Sequence, residues 1–471
     1  MIHLPDLEAA AAAREFERQN GADANEPTSH HLTELGNAGR FVEMHGANVR
    51  YCPAFRAWLC WDGRRWAQDE TGEVVRLARE TVRSIYSEAT HCGSESGRVA
   101  IATHAKRSER AAAIAAMLKL AETEPSVPIL PARLDEDAFL LNVRNGTVNL
   151  RTGELLPHRR GDYITRLAPV EYDPRVFSAR WDQFLAEVFE PHPDVPDFVQ
   201  RAVGYSLTGS TVEECLFLLY GAGRNGKGVL LRTLGAMLGE YASTADFDAF
   251  TARRDLGGPR DDIAIMRGAR FVQAQESREG AAFAESLIKW LTGGDRVRAR
   301  RLYENSIEFD PTFKLWLASN HRPTIRGGDP AIWSRIRLLP FDVSFEGRED
   351  RGLKERLMGE LTGILSWAVE GCLRWQSEGL APVEAVRSAT DEYRAEQDSL
   401  GRFVTECCFR GEAYRARAKD LYRAYRQWAE DGGEHSMTQT AFGRRLAALG
   451  FAKRDDARGV IYEGLGLRAE P

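Results

Sequence analysis

The strongest constraint in this chain is the order Leu216-Phe-Leu-Leu-Tyr220, Gly221-Ala-Gly-Arg-Asn-Gly-Lys227-Gly228, then Val229 to Leu238. A short apolar run, a glycine-rich loop and an apolar-periodic stretch predict strand, loop and helix. Gly221, Gly223 and Gly226 let the loop fold so that backbone N–H groups converge on a polyphosphate. Asn225 and Gly228 complete it, the helix adds the positive end of its dipole, and Lys227 supplies a point charge. The loop departs from G-x-x-x-x-G-K-S/T at one place: Gly228 stands where a hydroxyl would help hold Mg2+.

A chain of 471 residues exceeds a single core. Its 43% hydrophobic and 28% charged residues are ordinary for a globular protein. No apolar run approaches the roughly 18 to 20 residues of a membrane span, and no secretory leader opens the chain, which predicts a cytoplasmic protein. None of the seven cysteines forms a C-x-x-C pair, so buried thiols are expected. A net charge of −6 speaks against indiscriminate nucleic-acid binding but leaves room for local basic patches.

Six segments are expected along the chain. Residues 1–39 read as a flexible lead-in containing a short helix over 7–18. Residues 40–175 read as a mixed α+β region, with a hairpin over 51–66, helices over 77–89 and 107–121, and a meander over 140–156 turning at Asn145-Gly146 and Thr152-Gly153. Residues 176–210 read as helical with a proline-rich break, and 211–345 as an α/β core. Residues 346–400 read as helical, with helices over 353–375 and 382–398, and 401–471 as helix, helix and hairpin.

Within the core, 269–276 reads as a second strand ending in Glu276, suited to hold Mg2+ and polarise a water. A third strand, 313–320, ends in Asn320, which can bond a γ-phosphate or that water. Arg335 and Arg337 follow in AIWSRIRLLPF, each a planar fork suited to charge on a transferring phosphoryl group. Arg296, Arg298, Arg300 and Arg301 fall within six residues, partly alternating, ahead of a turn at 304–306. That pattern predicts a hairpin carrying basic side chains along a phosphate backbone. Lys289, on the helix before it, is a further candidate for contact with DNA.

The motifs GAGRNGKG, FVQAQES, LIKWLTGGDRVRARRLYENSIEF, FKLWLASNHRP and AIWSRIRLLPF together resemble the superfamily 3 helicase domain of the phage and plasmid primase–helicase group. The similarity extends upstream through LNVRNGTVNLRTGELLPHRRGDYITRLAPVEYD and downstream to the tail. It implies an AAA+-like P-loop ATPase core, a helicase-associated N-terminal region, a helical collar and a C-terminal winged helix. It implies ATP and Mg2+ as cofactors and a homo-hexameric ring with ATP sites between neighbours. In that ring Lys227 and Glu276 act in cis, Asn320 is the sensor, and Arg335, rather than Arg337, reaches the neighbouring ATP. It also implies movement along single-stranded DNA with 3′→5′ polarity.

Thr438 to Gly450 carries a capping threonine, the apolar face Phe442, Leu446 and Leu449, and the basic pair Arg444 and Arg445. This segment is the expected contact to duplex origin DNA. About 40 residues precede the helicase-associated region, too few for a polymerase fold, so priming is expected from a separate primase or replication protein. The expectation is an ATP-dependent replicative helicase of a phage, prophage or plasmid in a bacterial cell. The alternative is an ATP-switched replication initiator with little unwinding, for which Gly228 is the supporting feature.

Overall fold

The computed structural model describes residues 30–252, 260–275, 280–300, 306–325, 329–432, 436–456 and 459–468. The chain divides into two compact units, Met1–Leu134 and Asp135–Pro471. This boundary differs from the expected 40–175 block: the meander over 140–156 belongs with the core that follows it. The helix expected over 7–18 lies outside the described residues.

In the first unit, helix α1 (Glu34–His45) begins where Thr33 Oγ1 accepts the Gly36 amide. Residues 34–39, expected in the lead-in, are therefore helical. Strands β1 (Val49–Cys52), β2 (Ala57–Trp61) and β3 (Trp66–Gln68) form the antiparallel sheet signalled by the aromatic run and Asp62-Gly63. Helices α2 (Glu73–His91), α3 (Glu95–Ser108) and α4 (Ala111–Ala121) follow. The helix expected over 107–121 is thus two helices broken around Glu109-Arg110. Ala38, Phe41, Val74, Ala78, Val82 and Met117 close this unit's core. Arg40 clamps Glu88 through two bonds of 2.6 and 2.7 Å, fixing α1 to α2.

The second unit opens with the predicted meander: β4 (Leu140–Val143), β5 (Gly146–Asn149) and β6 (Glu154–Leu156). Helices α5 (Ala179–Val188) and α6 (Val195–Leu207) flank the proline-rich break. The central sheet comprises β7 (Leu216–Tyr220), β8 (Ala242–Thr244), β9 (Phe271–Gln275), β12 (Lys314–Ser319) and β13 (Ile336–Pro340), all parallel, in the spatial order β13-β7-β12-β9-β8. Helix α7 (Lys227–Leu238) crosses from β7 towards β8, and α8 (Asp261–Ala264) precedes β9. Between β9 and β12 the chain inserts α9 (Glu285–Thr292) and the antiparallel hairpin of β10 (Val297–Arg300) and β11 (Ser306–Phe309). Helix α10 (Pro330–Trp333) leads into β13.

Parallel strands covered on both faces must be apolar on both, and these are. Phe217, Leu219, Phe271, Trp316 and Leu339 face one core with Phe198, Leu230, Leu234, Leu365 and Val369. Their alternates Leu216, Leu218, Val272, Leu315, Leu317 and Leu338 face a second core with Phe247, Phe250, Ile288 and Tyr393. At the N-terminal edge of the sheet two cations are buried. Arg270 donates to the carbonyls of Leu207 (2.6 Å) and Leu140 (2.7 Å), and Lys314 donates to those of Thr208, Ser210 (3.1 Å) and Thr312 (3.3 Å). They satisfy the end of α6, where the helix dipole favours positive charge, and tie the meander to the core. Burial pushes the Lys314 ammonium pKa well down.

Helices α11 (Leu353–Gly359), α12 (Leu361–Glu378) and α13 (Glu384–Gln397) follow the core. The helix expected over 353–375 is interrupted at Glu360, whose carboxylate accepts from Ser178 and from the Arg180 amide (3.1 Å). The last segment runs α14 (Ser399–Cys407), β14 (Cys408–Arg417), α15 (Ala418–Asp431), α16 (Gln439–Ala448), β15 (Lys453–Asp456) and β16 (Gly459–Leu467). Its strands form an antiparallel sheet in the order β14-β16-β15, around a core of Leu400, Phe403, Leu421, Tyr425, Phe442, Leu446 and Leu465. Helix α14 and strand β14 add to the expected helix, helix and hairpin. Among the described residues no helix is long and apolar enough to cross a membrane.

Helices α6 and α12 touch backbone to backbone. A Cβ at Gly204 would lie 2.1 Å from the Cys372 nitrogen, and one at Gly371 would lie 2.1 Å from the Gln200 carbonyl oxygen. Backbone cannot step aside as a side-chain tip can, so these two glycines set the helix spacing. Gly204→Ala or Gly371→Ala is expected to destabilise the fold by about 3 kcal/mol in denaturant titration, despite alanine's better helix propensity.

Candidate functional site

The glycine-rich loop leaves the C-terminal end of β7 and is fastened to the segment after β13. Asn225 Nδ2 donates to the Phe341 carbonyl at 3.0 Å, and the Phe345 amide donates to the Arg224 carbonyl at 2.9 Å. The Asn225 bridge explains Gly221, where a Cβ would meet Asn225 Nδ2 at 2.0 Å and the Phe341 oxygen at 2.3 Å. Gly223 and Gly226 adopt φ of 112° and 90°, the left-handed region open to glycine. Helix α7 then starts without a side-chain cap. The Val229 and Leu230 amides both bond the Gly226 carbonyl at 3.0 Å, which leaves the Lys227 and Gly228 amides to face an anion.

Strand pairing decides what stands beside this loop. Tyr220 is in register with Ser319, and Ala318 with Gln275, so three strands release their chains at one edge. That edge is where open α/β sheets bind ligands. Gly223 to Val229, Arg232, Gln275 and Ala318 to Asn320 line a pocket there of about 290 Å3.

The structure brings Lys227, Asn225 and Asn320 together. The Lys227 ammonium donates to the Gly221 carbonyl (2.6 Å), Asn225 Oδ1 (3.0 Å) and Asn320 Oδ1 (3.1 Å). Its side chain is buried, and desolvation lowers its pKa to about 8. The three acceptors are neutral oxygens, so they hold the cation in place without the compensation that phosphate would supply. Glu276 lies outside the described residues; its neighbour Gln275, which ends β9, reaches the pocket.

Arg335 stands at the opposite edge of the sheet. Its carbonyl accepts from the amide of Leu216, the first residue of β7, whereas the glycine loop follows the last. A five-residue strand, roughly 16 Å, separates the two edges. The Arg335 guanidinium is held by Glu214 Oε2 (3.0 Å), the Ala331 carbonyl (2.9 Å) and Thr292 Oγ1 (3.2 Å).

The basic run forms the expected hairpin. Val297 and Ala299 face the core, while Arg298 is exposed opposite Glu308, 3.9 Å away, and Arg296 pairs with Asp310 at 3.2 Å. Acidic residues on β11 and just beyond it therefore offset part of the positive charge. Arg300 takes its place in the strand opposite Ser306, and Arg301 lies outside the described residues. Lys289 is tied to Asp329 at 2.5 Å, and Asp329 also caps α10. On α16, Arg444 is exposed and Arg445 sits 3.9 Å from Asp398. The sequence reading missed Gln275, Arg232 and Glu214. Only Arg232 carried a signal, being one helical turn beyond Gly228.

Family comparison matches residues 38–190 to "D5 N terminal like", 219–335 to a family of unknown function, and 395–462 to "Poxvirus D5 protein-like". A "putative helicase" of Acanthamoeba polyphaga mimivirus is 26% identical over 321 residues, covering 63% of this chain and 33% of that protein. Another, of Frog virus 3, is 26% identical over 286 residues, covering 56% of this chain and 29% of that protein. A "putative primase" of African swine fever virus is 25% identical over 298 residues, with 58% and 31% covered. The chain thus spans about a third of the length of these curated relatives. Among solved structures, the apo C-terminal region of NrS-1 overlaps 64% of this chain and 86% of that one, with a TM-score of 0.40 and 11% identity, a likeness too loose to define the fold.

The charge on Lys227 sets a pH dependence. In the free protein its ammonium titrates near 8, and a bound polyphosphate stabilises the charged form and raises that value. Polyphosphate binding above pH 8 should therefore take up a proton. Affinity, followed by fluorescence titration, is expected to fall by up to about tenfold per unit above pH 8. In Lys227→Met that fall should disappear.

Proposed function

We propose that this chain is a D5-like helicase of superfamily 3, a reading supported by its matches to the two D5-like family models and to viral proteins named as putative helicases, and that it hydrolyses ATP between subunits of a ring to move single-stranded DNA. One observation carries the reading. Lys227 and Asn320 meet the glycine loop at one edge of the sheet, while Arg335 stands at the other edge. An arginine so placed cannot reach the phosphates of its own subunit, which supports a role for it at the ATP of a neighbour stacked on that edge.

The proposed chemistry follows from this placement. The amides at the start of α7 and the Lys227 ammonium bind the β- and γ-phosphates, Lys227 exchanging its neutral acceptors for charged ones. Glu276, one residue past Gln275, orients and polarises the attacking water, and Asn320, freed from Lys227, holds the γ-phosphate or that water. Arg335 of the adjoining subunit stabilises charge on the transferring group, an effect worth roughly 10³- to 10⁵-fold in rate.

Position 228 offers Mg2+ no hydroxyl, and among the described pocket residues none is a carboxylate. In this reading the ion arrives with the nucleotide as substrate, retaining most of its waters, with Glu276 as its protein partner.

In this reading Arg296, Arg298, Arg300, Arg301 and Lys289 contact the DNA backbone. The succession α14-β14-α15-α16-β15-β16, most of it within the segment matched to the poxvirus D5-like family, supports a winged helix, which in this reading uses Arg444 and Arg445 on duplex DNA. A homo-hexamer, a replicative role in a phage or plasmid, and a separate primase partner belong to the same proposal.

The test is ATP turnover with and without single-stranded DNA. DNA should stimulate hydrolysis several-fold, and Lys227→Ala and Glu276→Gln should each abolish it. With Arg298→Ala plus Arg300→Ala, turnover should no longer rise on adding DNA. Wild-type protein that binds ATP but does not turn it over would contradict the motor reading.

A further inference from the structure

Arg232 lies on α7 four residues after Gly228, one turn along the same face. A Cβ built at Gly228 would sit 3.1 Å from Arg232 Nη1, 3.5 Å from its Cζ and 3.2 Å from Gln275 Oε1. The guanidinium thus occupies the space that a side chain at position 228 would enter. Arg232 and Gln275 line the same pocket as Lys227 and Asn320, although Arg232 itself is exposed.

We propose that Arg232 is a phosphate-binding residue of this pocket, supplying positive charge where a serine or threonine hydroxyl would otherwise help to hold magnesium. The inference rests on the ATP-site reading above.

A guanidinium keeps its charge at every working pH and binds phosphate oxygens through a planar fork. Its position beside the first turn of α7 adds a discrete charge to the free amides and helix dipole. A Cβ at position 228 would stand 3.1 Å from Arg232 Nη1, so with glycine there the guanidinium keeps its place without having to give by a few tenths of an ångström. Lys227 begins from a network of neutral oxygens, whereas Arg232, itself exposed, lines the same cavity.

The consequence is nucleotide binding that depends little on the metal, because protein charge does part of the metal's work. Gly228→Ser should displace Arg232 and make binding more dependent on magnesium.

The experiment measures the dissociation constant of a fluorescent ATP analogue for the full chain, in magnesium and in EDTA. The variants are Arg232→Ala, Arg232→Gln, Arg232→Lys and Lys227→Ala, each checked for an unchanged thermal melt. Arg232→Ala and Arg232→Gln should weaken binding in EDTA by about tenfold or more and in magnesium by less, with Arg232→Lys between them and wild type. Unchanged affinity in EDTA would overturn the proposal. So would a loss seen only in magnesium, which would place Arg232 on a metal-holding group rather than on phosphate. Lys227→Ala separates the two levels of inference. If it leaves affinity intact, the pocket is not the nucleotide site. If it weakens binding while the Arg232 variants do not, only the role of Arg232 fails.

Discussion

Parallel pairing of β7 with β12, and of β12 with β9, is the constraint on which this molecule's chemistry depends. Because the strands share a direction, Tyr220, Ser319 and Gln275 end at one edge. The glycine loop, Asn320 and the chain leading to Glu276 emerge there together. An antiparallel neighbour would send one of them to the far side. The same directionality assigns the other edge to different work: Arg270 and Lys314 are buried there against the end of α6, and Arg335 stands where β13 begins. The glycine loop and its pocket lie at one edge, and the other locks the sheet to its flanking helices and holds Arg335 against Glu214, Thr292 and the Ala331 carbonyl.

Electrostatics at the two edges differ in kind. Lys314 is enclosed and satisfied by carbonyls, an arrangement that fixes structure and has no room for a ligand. Lys227 is bonded just as fully, but its acceptors line an open pocket and its pKa is lowered to about 8. Burial has raised the cost of its charge, and an incoming phosphate recovers that cost. Arg335 holds an exposed partner, Glu214, which a neighbouring phosphate can replace.

The central fold was legible because its signals are local and mutually consistent. The apolar run and glycines at 216–228 specify strand, loop and helix, and the polar residues at the ends of the next strands mark the same edge. The 140–156 meander was equally readable from its two turn pairs. What escaped was set by packing between distant segments. Strand β14 is almost wholly exposed and lacks clean alternation, so only its pairing with β16 reveals it. The break at Glu360 depends on Ser178 and the Arg180 amide, nearly two hundred residues upstream. The partners of Arg296, Arg298 and Lys289 are acidic residues whose proximity depends on the hairpin register or on α10. For the site, residue types pointed to the loop, Lys227 and Asn320, which line one pocket, whereas the approach of the Arg232 guanidinium to Gly228 depends on its side-chain conformation.

The central claim is that each ATP site takes its charge-stabilising arginine from another subunit, and mixing two inactive variants tests it directly. Lys227→Ala lacks the phosphate lysine but keeps Arg335, whereas Arg335→Ala keeps the loop but lacks the arginine. Each alone should be inactive. Mixed and allowed to exchange, they should recover up to about a quarter of wild-type ATP turnover, since random neighbours would pair an intact loop with an intact arginine at about that frequency. No recovery from mixtures shown to co-assemble, or full activity of Arg335→Ala alone, would contradict the account.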